Sequence, residues 1–119
     1  MLIEAVQDLI SQYARDEPDP PDDPVAEDME PWRDRIDALD RALLQIMNER
    51  VKCANAIGAI KKKLGMPVYV PSREQEVISN VIAGNEGPLS DAAVRRLFER
   101  VIDETRSLER HMYQDPDRE

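Results

Sequence analysis

The chain has 119 residues, 41% hydrophobic but only 4% aromatic, with a net charge of −9; that length holds one domain, and its core is thin enough to need long helix–helix seams or a second subunit. One cysteine, Cys53, excludes an intrachain disulfide and fits a reducing compartment. No basic stripe with interleaved aromatics occurs, so nucleic acid is not an expected partner.

The opening MLIEAVQDL lacks a basic n-region and a continuous apolar stretch, so no signal peptide or membrane span is read, and a cytoplasmic location is expected. Residues 2–14 place Leu2, Val6, Leu9 and Tyr13 at helical spacing, with Ile3 and Ile10 alongside. This predicts an N-terminal amphipathic helix over 1–14. It reads either as a docking or frayed terminal helix or as a tethered regulatory or partner-binding peptide, and the sequence leaves both open. Residues 15–31 carry five prolines and a heavy acid load, which predicts an extended linker without helix or strand. Ten of the 25 acids lie in residues 1–31 against one base, Arg15, leaving fifteen of each sign in 32–119. The negative charge therefore belongs to the tail and does not repel an anion from the body.

The body opens near Pro31, a residue suited to a first helical turn. From there Ile36, Leu39, Leu43, Ile46, Arg50, Cys53, Ile57, Ile60 and Leu64 alternate steps of three and four, an a/d seam that Gly65 and Pro67 end. A helix over 32–64 is about 50 Å long at 1.5 Å per residue, whereas a lone domain of this size is about 25 Å across. Such a rod cannot bury its seam alone, so a homodimer is expected. A second helix is predicted from Ser72, with Ser72 and Gln75 as a capping box and Gly84 as its end. A third is capped by Ser90, follows the stripe Val94, Leu97, Phe98, Val101, Ile102, Thr105, Leu108, Met112, and frays before Pro116 into a disordered tail over 114–119.

Several residues do not suit a plain bundle. Arg50 occupies a seam position among apolar neighbours, where it either fixes register, snorkels outward or serves a ligand. Lys61 lies eleven residues on, about 20° away around the axis and about 16 Å along it, so the two cations share a face suited to an anion. Arg33 is rotated from Arg50 by about 100°. It reads either as an exposed salt-bridging arginine beside Arg35 and Arg41, or as a side chain able to enter a site of the partner subunit. Thr105 and Glu109 fall four apart on one face, although a threonine there also reads as back-bonded to its own helix. Arg73 and Glu74 fall in a first helical turn, where Glu74 suits the dipole. Neither His111 nor Cys53 supplies a catalytic triad or metal cluster, so no metal and no cofactor is expected.

The stretch WRDRIDALDRALLQIMNERVKCANAIGAIKKKLGMPVYVPSRE, followed by LSDAAVRRLFERVIDETRSLE, resembles the all-helical class of chorismate mutases over residues 32–110. Its W-R-x-x-I-D-x-L-D, N-E-R, I-G-x-x-K and P-V-Y-x-P-x-R-E segments arrive in order. The resemblance implies an all-α fold: a three-helix protomer with one very long first helix, interlocked into a six-helix homodimer with shared active sites, its domain spanning 32–113. It implies that Arg33 crosses into the partner's site, where it and Arg50 grip the two substrate carboxylates. Lys61 would donate to the ether oxygen, and Glu74 would accept from the ring hydroxyl. Arg73 would stand at the wall, Thr105 would help bind the ring carboxylate, and Glu109 would lie opposite Lys61 across the ether oxygen. The implied reaction is the Claisen rearrangement of chorismate to prephenate, which needs no nucleophile, metal or cofactor.

Two positions depart from the family pattern. Val70 stands where aspartate is common, which is tolerable if that position works through its backbone N–H. Glu109 stands where glutamine is common and can donate to the ether oxygen only when protonated, so activity is expected to be favoured at lower pH. Two other readings remain: an isochorismate pyruvate lyase of the same fold, whose members lack an acid matching Glu74, and a non-catalytic helical adaptor.

Overall fold

The computed structural model describes the backbone of residues 2–15 and 19–114 and the side chains of residues 4–13 and 19–109. Among these residues the structure is all-helical. It has four α-helices, α1 (Leu2–Arg15), α2 (Glu30–Leu64), α3 (Pro71–Ala83) and α4 (Asp91–Gln114), with a short 3-10 turn at Ala26–Met29. That is one helix more than the expected three-helix protomer, because the amphipathic segment at the N-terminus forms α1. Residues 115–119 of the expected tail, and the side chains of His111 and Met112, lie outside the described residues.

The expected linker is not free of helix. Its prolines cluster at 18–24, and once they end, the backbone of Val25 and Asp28 makes one tight turn. Asp28 N–H donates to the Val25 carbonyl at 3.0 Å, and Val25 N–H donates back to Asp28 Oδ2 at 2.8 Å. This turn runs straight into α2, which starts at Glu30, two residues before the expected start. Pro31 sits in the first helical turn, where its missing N–H costs no intrahelical bond.

The chain forms two compact units, Met1–Arg50 and Val51–Glu119, with the division inside α2. In the first unit, Val6, Leu9 and Tyr13 make the half-buried face of α1, as the helical spacing predicts. Arg35 on α2 anchors α1: Nη2 donates to the Tyr13 carbonyl at 2.8 Å, near the end of α1 where carbonyls lack intrahelical donors. The guanidinium also lies 4.6 Å from the Tyr13 ring centre and 5.2 Å from that of Trp32, within cation–π range.

In the second unit α3 packs on α4, and its core is formed by Ile78, Val94 and Ile102 together with Ala54 from α2. The start of α3 differs from the expected capping box. Val70 is the N-cap and makes no side-chain cap bond, while Pro71 takes the first helical position. The Val70 carbonyl accepts from the N–H groups of Arg73 and Glu74 at 3.1 and 3.2 Å, and a proline at the next position holds the helical φ from the outset. Ser72 is thus already inside the helix. Ser90 caps α4 as expected: its Oγ accepts from Ala93 N–H at 3.1 Å, a bond worth about 1 kcal/mol.

The end of α2 positions the loop that follows. Gly65 adopts φ +67°, which a side chain would resist. Met66 N–H returns to the Lys61 carbonyl at 2.9 Å and Gly65 N–H to that of Lys62 at 3.3 Å, the paired bonds of a Schellman ending. The a/d seam of α2 remains largely uncovered in the single chain. Ile36, Leu43, Ile57, Ile60 and Leu64 are all about half or more exposed. In the second unit the buried residues of α2 are instead the small Ala54 and Gly58.

Candidate active site

In the second unit the side chains expected to carry chemistry form two clusters. The first centres on Lys61. Its ammonium donates to the Val68 carbonyl at 2.9 Å, so the loop that the Schellman ending turns back also holds the side chain. Glu109 Oε2 lies 3.6 Å from the same nitrogen, and the two side chains are only 17% and 10% exposed. At that separation the contact is electrostatic, beyond ordinary hydrogen-bond reach. α4 comes close to α2 at Gly58: a Cβ built there would lie 3.6 Å from Glu109 Cγ, an ordinary van der Waals contact.

The second cluster centres on Glu74, half-buried in the first turn of α3. Arg106 on α4 donates to Glu74 Oε1 at 2.9 Å and to Asp103 Oδ1 at 2.6 Å. Its guanidinium carbon lies 4.8 Å from the Tyr69 ring centre. The sequence reading passed over both Arg106 and Tyr69. Arg106 sits in a run of charged residues, DETRSLE, and looks like any solvated arginine; its partner is 32 residues away. Tyr69, within the P-V-Y-x-P segment, was the one available signal.

Thr105 is buried on the face of α4, and its hydroxyl donates to the Val101 carbonyl at 2.9 Å. In this rotamer the hydroxyl hydrogen is directed along its own helix, as the back-bonded reading has it. Val70 is half-buried at the start of α3, its carbonyl committed to the helix. Arg73 is not drawn into either cluster. It pairs with Glu76 one turn on, and both side chains are about 60% exposed.

The first unit holds Arg33 and Arg50. Arg33 is exposed and bonded to Glu30 at 3.2 Å and to Met29 Sδ at 3.8 Å. Such an exposed pair on one helix holds the side chain weakly, by less than about 1 kcal/mol. Arg50 is half-buried on α2. The second unit thus supplies a buried ammonium facing a carboxyl group, and a carboxylate steered by an arginine; together they offer a hydrogen-bond donor, an acceptor and shielding from water.

The chain is 33% identical over 88 residues to the bifunctional chorismate mutase/prephenate dehydratase of Aquifex aeolicus, covering 71% of this chain and 24% of that protein. It is 41% identical over 80 residues to the protein of the same description from Neisseria gonorrhoeae, covering 67% of this chain and 22% of that protein. The chain therefore spans about a quarter of the length of these relatives. Among solved structures it matches chorismate mutase (form II) from Thermus thermophilus with TM-score 0.68 and 32% identity, covering 69% of this chain and 93% of that one. Residues 32–110 match the family described as chorismate mutase type II, and the chain belongs to that family.

Proposed function

We propose that this chain catalyses the Claisen rearrangement of chorismate to prephenate, the mutase step named in its bifunctional relatives. One observation carries the reading: Lys61, in the family-matching region, has its ammonium mostly buried and fixed between the Val68 carbonyl and Glu109. In this rearrangement one C–O bond breaks as a C–C bond forms, and negative charge grows on the ether oxygen. A cation already held in a poorly hydrated place stabilises that charge without reorganising when the bond stretches. Arg50 and Arg33 grip the two carboxylates and hold the substrate in its compact form, and bidentate geometry favours arginine at both positions. Thr105 assists at the ring carboxylate, Arg73 closes the wall, and Val70 acts through its backbone. Glu109 stands opposite Lys61 at the ether oxygen.

The active form is a homodimer with two shared sites, each taking Arg33 from the other subunit. The uncovered seam of α2 supports this, because a run of half-exposed isoleucines and leucines is stabilised only by a second apolar surface. The domain occupies 32–113, leaving residues 1–31 as an added segment. No helix among the described residues is long and apolar enough to cross a membrane, and a cytoplasmic setting fits the reading.

Following the loss of chorismate absorbance with wild type, Arg50→Ala and Lys61→Ala tests the proposal. Wild type is expected to turn over. Each variant is expected to lose about 10²–10³ in kcat, the usual cost of removing one preorganised donor. A wild-type chain that leaves chorismate intact ends the enzymatic reading.

A further inference from the structure

We propose that Arg106 is a positioning residue that fixes the Glu74 carboxylate as acceptor for the substrate's ring hydroxyl. The proposal rests on the mutase reading above and adds a residue to it. The ion pair joins α4 to α3 at 2.9 Å, and both side chains are about three-quarters covered. It differs in kind from the exposed pairs Arg73–Glu76 and Arg100–Glu104, which lie one turn apart on their own helices.

The guanidinium is held from three directions. Nη1 donates to Glu74 on α3, Nη2 donates to Asp103 one turn back on α4, and the central carbon lies over the ring of Tyr69 in the loop before α3. A planar fork with two committed donors and a ring beneath it keeps one orientation, which lysine, a flexible point charge, reproduces only in part. Glu74 is otherwise a flexible side chain in a first helical turn. Arg106 removes that freedom by engaging Oε1, and Oε2 is then the atom presented to a hydroxyl. An acceptor held in place before the substrate arrives loses less entropy when it bonds.

Turnover by wild type, Arg106→Gln and Arg106→Lys, each measured on chorismate and on an analogue lacking the ring hydroxyl, tests the assignment. On chorismate, Arg106→Gln is expected to lose about tenfold or more in kcat/KM, and Arg106→Lys to recover part of the loss. On the analogue, wild type and Arg106→Gln are expected to agree within about twofold, because no hydroxyl is left to read. A mere tether between α3 and α4 gives the same loss on both substrates, tracking a fall in melting temperature. That result, or unchanged turnover of chorismate by Arg106→Gln, overturns the proposal alone. A wild-type chain inactive on both substrates overturns the mutase reading and this one with it.

Discussion

α2 and α4 carry apolar stripes of equal regularity, yet the two are covered to different extents. On α4, which packs with α3, Val94, Ile102 and Thr105 are each less than a tenth exposed, while Leu97 and Leu108 stay about half exposed. On α2, the seam leucines and isoleucines stay open while Ala54 and Gly58 are covered. Spacing alone therefore reports that a helix has an apolar face, and says nothing of whether its own chain covers it. The face of α2 that is buried in the second unit carries the small residues Ala54 and Gly58, and Glu109 of α4 lies beside Gly58 within 3.6 Å of Lys61.

The sharpest way to break this comparison is to charge the open stripe. Leu43→Glu is expected to convert a dimer into monomers in sedimentation and to abolish nearly all chorismate turnover, since burying an unpaired carboxylate in a seam costs several kcal/mol. If the variant keeps the size and activity of wild type, the open stripe has no partner copy. Next in size is Ile102→Ala on the covered stripe. It is expected to lower unfolding free energy by about 2–4 kcal/mol, read as a shift of the urea midpoint at constant slope. A shift no larger than that of Ile10→Ala, a half-exposed position on α1, would show that the covered positions of α4 contribute no more than an open one.

The smallest effect is expected where the two helices meet. Glu109→Gln replaces an acceptor-only carboxylate beside Lys61 with an amide that can donate to the ether oxygen, and is expected to change kcat by less than about tenfold because Lys61 still donates there. A loss of kcat as large as that of Lys61→Ala would show that the carboxylate itself is required.

Much of the helical architecture was legible from residues taken singly or in short runs. Gly65 and Pro67 announce the end of α2, Ser90 announces the start of α4, and the three–four spacing announces α2 itself, because each acts through local backbone geometry. The errors have local causes as well. Ser72 looks like a cap until Pro71 takes the first helical position, and the linker looks structureless until its prolines end and Asp28 turns back to Val25. The candidate site was legible only in part. Glu109 lies 3.6 Å from Lys61, whereas Arg73 is turned to its neighbour Glu76.

By itself the sequence determined the principal helices, the end of α2, the start of α4 and the family, since those follow from periodicity, φ preferences and motif order within a few turns of chain. Tertiary structure alone decided that Arg106 takes Glu74. That contact joins residues 32 positions apart on two different helices, and only the packing of α4 against α3 brings the donor and the acceptor within bonding distance.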